Sequence, residues 1–211
     1  MLKVVNAHFK KQLSRDDIVH TYSGVRPLCN DESDNPSAIT RDYTLALSGS
    51  TGEAPILSVF GGKLTTYRKL AESAMAQLAP YFTQMRPSWT ATASLPGGED
   101  MSTPEALAEA IRAKFDWVPS EIARRWSTTY GSRTWRLLEG VQTLADLGEH
   151  LGAGLYTREV DYLCTEEWAT QAQDILWRRT KLGLFTTEQE QDNVQRYLSK
   201  VEQNRSKFQA A

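Results

Sequence analysis

One stretch decides the fold of this chain: Val59-Phe60-Gly61-Gly62-Lys63-Leu64-Thr65-Thr66-Tyr67-Arg68-Lys69-Leu70. The apolar run at residues 56–60 contains β-branched side chains and predicts a buried strand. The diglycine turn after it lets a ligand or another backbone approach closely. From Leu64 onward the apolar residues recur with helical spacing, and Pro80 is expected to end the helix. The pattern predicts strand, turn and helix, with the free N–H groups of the helix beside Lys63.

Two interpretations of this turn are open. The two glycines alone favour a plain chain reversal, because glycine is the usual residue of tight turns. Lys63 and the pair Thr65-Thr66 favour a binding site, because a lysine beside a helix N-terminus suits an anion or an electron-rich ring edge.

A second cationic feature lies upstream, in Tyr22-Ser23-Gly24-Val25-Arg26-Pro27-Leu28. Gly24 permits close approach, and Pro27 disfavours helix at the residue before it. Arg26 is therefore predicted to lie on a stiff, extended backbone, where its guanidinium would make a good fork for phosphate or carboxylate. The alternative is a surface arginine beside a turn.

Composition limits the class of protein. The 211 residues suffice for one large domain or two small ones, and 40% hydrophobic with 24% charged residues is ordinary for a globular protein. The net charge of −2 and the pI near 6.0 argue against nucleic acid as the principal partner. Cys29 and Cys164 lack metal-ligand spacing, so no metal site and a reducing compartment are predicted. No apolar run approaches the ~18 residues that span a bilayer, no signal peptide is recognised, and a cytoplasmic protein is expected.

The first part of the chain predicts strands and a hairpin. Residues 16–22 and 39–47 have strand character, and the loop at 48–53 is expected to join the second of these to the strand at 56–60. The N-terminal sequence begins like the middle of a domain, which predicts a gene fragment, a deliberately shortened chain or a misassigned start.

The second part predicts helices and no strand. A domain boundary is expected at Leu95-Pro96-Gly97-Gly98. Helices are then predicted at about 104–115, 120–129, 133–150, 157–169, 173–182 and 187–206, the first capped by Thr103 and the last by a Thr187/Glu190 capping box. The tryptophans of this part, Trp117, Trp126, Trp135, Trp168 and Trp177, are predicted to pack in the core and between helices.

Six segments, in order along the chain, resemble the C-terminal part of bacterial aerobic, FAD-dependent glycerol-3-phosphate dehydrogenase. They are residues 22–28, Thr40-Arg41-Asp42-Tyr43, residues 60–72, Leu95-Pro96-Gly97-Gly98, Tyr130-Gly131-Ser132-Arg133 and residues 176–184. The resemblance runs from about residue 1 to 200. It implies an α+β/α fold class: the C-terminal remnant of an amine-oxidase-like FAD-binding α/β domain at 1–95, then an all-α helical cap domain at 96–211.

The resemblance also implies roles for five residues. Arg26 is similar to the arginine that binds the substrate phosphate, and Lys63 to a lysine near substrate and flavin. Gly62, Lys63, Leu64 and Thr65 resemble the turn whose N–H groups face the flavin pyrimidine edge, where a reduced flavin gathers negative charge. The implied reaction converts glycerol 3-phosphate to dihydroxyacetone phosphate and passes electrons to quinone.

The resemblance has further implications for cofactor binding, location and assembly. Its sequence contains no Gly-x-Gly-x-x-Gly motif for the FAD diphosphate, and no residue matches the family's catalytic histidine, so the chain alone is expected to be inactive. The family implies peripheral binding to the cytoplasmic face of the inner membrane, and a homodimer is also considered. A rival hypothesis is a non-catalytic helical interaction module with a vestigial α/β stub.

Overall fold

A computed structural model describes residues 1–25, 42–49, 53–100 and 102–209 of the chain, with side chains through residue 202. It contains two compact units: Thr21–Ser94, and Met1–His20 together with Leu95–Ala211. No helix among the described residues is long and apolar enough to cross a membrane.

The described chain is mostly helical, with two short hairpins. The α-helices are α1 (Leu2–His8), α2 (Tyr67–Leu78), α3 (Pro104–Lys114), α4 (Ser120–Thr129), α5 (Thr134–Leu137), α6 (Thr157–Glu166) and α7 (Glu188–Gln209). The strands are β1 (Tyr43–Ser48), β2 (Ile56–Gly61), β3 (His150–Gly152) and β4 (Leu155–Tyr156), and a π-helix spans Asp174–Arg179.

The unit Thr21–Ser94 contains the predicted hairpin and helix. Strands β1 and β2 pair antiparallel, with Tyr43 opposite Gly61 and Ser48 opposite Ile56. After the diglycine turn a 3₁₀ turn at Leu64–Thr66 leads into α2, and Pro80 lies in the 3₁₀ turn that follows α2. The predicted order of strand, turn and helix is therefore confirmed.

The burial predicted for this unit is wrong. Strand β2 is largely exposed, with Ile56 at 65%, Val59 at 47% and Phe60 at 52% of their full exposure. Helix α2 likewise has no buried residue. The physical reason is that the described part of the unit has a two-stranded ribbon and one long helix, which cannot enclose a core.

The other unit has a hydrophobic core made by the helices after residue 103. Ile111 of α3, Trp126 of α4 and Leu163 of α6 are fully buried there, as are Ile175 of the π-helix and Val194 of α7. Thr103 Oγ1 accepts a hydrogen bond from Ala106 N at 3.1 Å, which confirms the predicted cap of α3. The Thr187/Glu190 capping box is also confirmed: each side chain accepts from the other residue's backbone N–H.

Several predicted elements of this unit are corrected. The predicted helix at 133–150 is divided into a 3₁₀ turn at 131–133, α5 and a 3₁₀ turn at 144–147. Gly140 and Gly148 adopt φ of +74° and +80°, which a continuous helix does not allow. The β3–β4 hairpin contradicts a purely helical second half. Helix α6 ends before Trp168, and the π-helix ends before Lys181, because both residues are in the left-handed region.

Two further predictions are wrong. Residues 16–22 were expected to form a strand, but Arg15–Asp17 form a 3₁₀ turn. The Asp17 carboxylate accepts the Ser14 N–H at 2.7 Å, and this capping box stabilises a turn instead of a strand. Trp168 is 84% exposed and is not a core residue, whereas Trp126 is buried as predicted.

The N-terminal residues belong to the helical unit. Met1–His20 group with the helical residues, and the indole of Trp177 stacks on the His20 ring at a centroid distance of 3.9 Å. The domain boundary between residues 95 and 96 and the amine-oxidase-like character of residues 1–95 stay predictions.

Candidate functional site

The candidate site is the turn between β2 and α2. Gly61 and Gly62 adopt φ of +74° and +107°, which side chains with a Cβ rarely reach. Lys63 is extended, and its carbonyl oxygen accepts hydrogen bonds from both the backbone N and the Oγ1 of Thr66 at 3.1 Å. The backbone therefore reverses at the glycines and starts the helix immediately afterwards.

The structure brings four of the five predicted site residues together in this turn. Gly62 is half-buried, whereas Lys63, Leu64 and Thr65 are exposed, Leu64 by 91%. Arg26 lies outside the described residues, and so does the Thr40-Arg41 pair of the upstream motif. The association of Arg26 with this turn therefore stays a prediction.

The donors of the turn would suit an electron-rich group. The first N–H groups of a helix have no acceptor inside it and carry the positive end of the helix dipole. Residues 63–65 lie just before α2, with Leu64 and Thr65 in the 3₁₀ turn that leads into it, and all three are exposed. An electron-rich carbonyl and ring-nitrogen edge would find both hydrogen-bond donors and positive potential there.

A carboxylate in α2 ties the following segment to the helix, and the sequence patterns did not single it out. The carboxylate of Glu72 accepts hydrogen bonds from Arg68 at 2.6 Å, Lys69 at 3.0 Å, and the hydroxyls of Ser88 and Thr90 at 2.9 Å each. Lys69 first, and then the two hydroxyls, lower the pKa of Glu72 to about 2. Glu72 is therefore ionised at neutral pH and holds the segment at 88–90 against α2.

The helical unit contains a second cluster that sequence patterns missed. Glu159 is fully buried and accepts both guanidinium arms of Arg125 at 2.5 and 2.7 Å. It also accepts the Trp126 Nε1–H at 2.9 Å and the Tyr130 hydroxyl at 2.6 Å. Burial first, and then the Glu159 charge, raise the pKa of Tyr130 well above its ordinary value. Every oxygen of the carboxylate is satisfied, so this cluster holds α4 against α6.

Two of the segments that carried the resemblance contact each other. The Ser132 N–H donates to the Gly97 carbonyl oxygen at 2.8 Å. A Cβ added to Gly131 would lie 1.9 Å from that same oxygen, and one added to Gly97 would lie 2.6 Å from the Tyr130 carbonyl oxygen. These glycines are therefore required for a close backbone contact, not for a binding site.

No group of three or more His, Cys, Asp or Glu residues able to hold a metal ion occurs in the described ranges, which leave out residues 26–41, 50–52, 101 and 210–211.

Comparison with known proteins identifies relatives of the chain. It is 82% identical over its whole length to a glycerol-3-phosphate dehydrogenase of Pseudomonas tolaasii and 61% identical over its whole length to one of Pseudomonas aeruginosa. It is 50% identical, over 97% of its length, to the aerobic glycerol-3-phosphate dehydrogenase of Escherichia coli. The chain spans 41% of the length of each of these curated relatives.

A family model covers more than half of the chain. The model of the C-terminal domain of alpha-glycerophosphate oxidase matches residues 88–206, which include α3 to α6, the π-helix and most of α7. The predicted resemblance to glycerol-3-phosphate dehydrogenases is confirmed by these matches. The chain therefore belongs to the family of the alpha-glycerophosphate oxidase C-terminal domain.

Proposed function

We propose that this chain is the C-terminal part of an FAD-dependent glycerol-3-phosphate dehydrogenase. The observation that carries the proposal is the 82% identity, over the whole chain, to a protein of that name. The reaction would oxidise C2 of glycerol 3-phosphate to the ketone of dihydroxyacetone phosphate, and quinone would receive the electrons. FAD, when bound, supplies the hydride acceptor.

The turn at 62–65 supports a role for this chain beside the flavin. The backbone N–H groups of Gly62, Lys63, Leu64 and Thr65 would donate to the pyrimidine edge, where negative charge collects on reduction. The Lys63 ammonium adds positive charge to the same side and would also attract the substrate phosphate. These groups bind and polarise, and no residue of this chain is assigned the proton transfer.

Arg26 is proposed to bind the substrate phosphate. Its guanidinium offers two parallel N–H donors to phosphate oxygens, a contact that a lysine ammonium cannot reproduce. The Pro27 ring after it restricts the backbone and would reduce the entropy lost on binding.

The larger context is part of the same proposal. Residues 1–95 would complete an amine-oxidase-like FAD domain, and 96–211 would form the helical cap. The whole protein would act in the cytoplasm, bound peripherally to the inner membrane, and would associate as a homodimer. What supports these points is the relationship to the longer dehydrogenases.

The test uses the complete product of the reading frame that contains this sequence. We expect it to purify with FAD and to reduce a soluble quinone analogue only when glycerol 3-phosphate is added. Arg26→Ala should lower kcat/KM about 10- to 150-fold, because a hydrogen bond to a charged group is worth roughly 1.5–3 kcal/mol. Arg26→Lys should recover part of this loss. Arg112→Ala, a change of an exposed arginine on α3, is the matched control.

Three outcomes would contradict the proposal. A complete protein without flavin absorbance, or without glycerol-3-phosphate oxidation, would favour the helical interaction module. A wild-type KM in Arg26→Ala, together with a lowered melting temperature, would make Arg26 a structural residue. Stoichiometric FAD retained by the 211-residue chain through purification would contradict the expectation that this chain, which has no diphosphate-binding glycine motif, cannot hold the cofactor by itself.

A further inference from the structure

One hydrogen bond joins the hairpin to the helix on the two sides of the candidate turn. The Tyr43 hydroxyl of β1 lies 3.0 Å from the Ser73 hydroxyl of α2, and the two residues are 30 positions apart in the chain. Both side chains are half-buried. The pair therefore links elements that are otherwise connected through the turn itself.

Tyr43 also lies beside the turn. It lies opposite Gly61 in the strand register, at the end of β2 where the turn begins. A Cβ added to Gly62 would lie 3.7 Å from the Tyr43 Cβ, which is ordinary van der Waals distance. Tyr43 thus stands beside the strand end and the diglycine turn, and its hydroxyl bonds to the helix.

The angle between β2 and α2 is not fixed by the turn alone and needs a further contact. The two glycines at positive φ have wide conformational freedom, so the turn does not determine the angle by itself. The bonds from Thr66 to the Lys63 carbonyl fix how the helix starts, but not how it lies against the strand. Apolar packing contributes little, because α2 has no buried residue.

We propose that Tyr43, acting through Ser73, is a positioning residue that sets the direction of the N–H groups at 62–65. In the proposed function, on which this inference rests, that direction is the one from which these groups bind the electron-rich edge of the flavin. The inference gives Tyr43, which stands in one of the segments that carried the family resemblance, a role that involves no contact with the cofactor or substrate.

The first experiment needs no cofactor. In the 211-residue chain, Tyr43→Phe removes the hydroxyl and keeps the aromatic ring. We expect the Thr66 amide hydrogen, which is bonded to the Lys63 carbonyl oxygen, to exchange about 5- to 10-fold faster, because local opening of the turn becomes easier. Tyr81→Phe, a change of a half-exposed tyrosine in the same unit, should leave this rate unchanged.

The second variant separates the bond from the ring. Ser73→Ala should produce the same increase in exchange as Tyr43→Phe. The double variant should add nothing further, because both changes remove one interaction. Additive increases would overturn the inference, since they would show that the two hydroxyls act independently.

The third measurement is the midpoint potential of FAD in the complete protein. If the N–H groups are misdirected in Tyr43→Phe, stabilisation of the reduced flavin should weaken about three- to tenfold, which lowers the two-electron potential by about 15–30 mV. A lower melting temperature with unchanged exchange and potential would overturn the inference and leave Tyr43 a structural residue. A wild-type protein that holds no flavin would instead overturn the proposed function, and the exchange data would still decide whether Tyr43 braces the turn.

Discussion

The buried carboxylate of Glu159 offers the sharpest test of how the helical unit is held together. Glu159→Gln keeps the shape of the side chain and removes its charge. The amide presents one oxygen where the carboxylate presented two, and its NH₂ group faces the donors of Arg125, Trp126 or Tyr130. A guanidinium with only 19% of its side chain exposed then loses its counter-charge.

The expected cost follows from this geometry. Removing one partner of a buried ion pair costs about 3–5 kcal/mol, because the other charge stays buried and uncompensated. The four hydrogen bonds form one network, so their individual values of about 1.5–3 kcal/mol do not add. At about 3 °C per kcal/mol for a unit of this size, the melting temperature should fall by about 10–15 °C.

The assay is urea and thermal unfolding followed by tryptophan fluorescence, with Trp126 as a reporter inside the cluster. Glu109→Gln, which removes an exposed carboxylate from α3, is the control and should change the free energy of unfolding by less than about 0.5 kcal/mol. Arg125→Met should be as costly as Glu159→Gln, and the double variant Arg125→Met/Glu159→Leu should cost less than the sum. A loss below about 1 kcal/mol for Glu159→Gln would refute the view that this cluster stabilises the unit.

Three further predictions concern the same unit. Gly131→Ala should lower the free energy of unfolding by more than about 2 kcal/mol, because its Cβ would lie 1.9 Å from a backbone oxygen. Gly140→Ala, also at positive φ but with open space around it, should lower it by only about 1 kcal/mol. Equal losses in urea unfolding would contradict the steric argument. Trp126→Ala should cost about 3–5 kcal/mol because the indole is fully buried, and Trp168→Ala, at 84% exposure, less than about 0.5 kcal/mol; the reverse order would show that the core is misassigned. Burial first, and then the Asp161 carboxylate, raise the pKa of Tyr197 to about 12. The folded protein therefore holds the Tyr197 proton more tightly than the unfolded chain does. The stability that results is lost as the pH rises from about 10 to 12. Tyr197→Phe should flatten that part of the pH–stability curve, and an unchanged slope would count against the assignment.

The sequence by itself determined the local elements. The order of strand, diglycine turn and helix follows from apolar spacing and from the two glycines, and the structure confirms it, although a 3₁₀ turn at Leu64–Thr66 precedes α2, which begins at Tyr67. The caps by Thr103 and Thr187 were predicted for the same reason, because a cap depends on residues three or four positions away. The family could be recognised because six such local segments occur in one order.

Local patterns failed where a residue at positive φ interrupts a helix. Trp168 and Lys181 end their helices in the left-handed region, where neither residue type is expected. Their apolar spacing continues past the true helix ends, so periodicity alone extended α6 and the π-helix too far.

Only the tertiary structure decided which distant groups meet. Glu159 lies 34 residues from Arg125, and Tyr43 lies 30 residues from Ser73. Helical and strand periodicity report on neighbours within one or two turns, so no spacing rule joins such pairs. Burial was decided in the same way: the apolar run at 56–60 predicted a buried strand, but an apolar side chain is buried only if another element covers it.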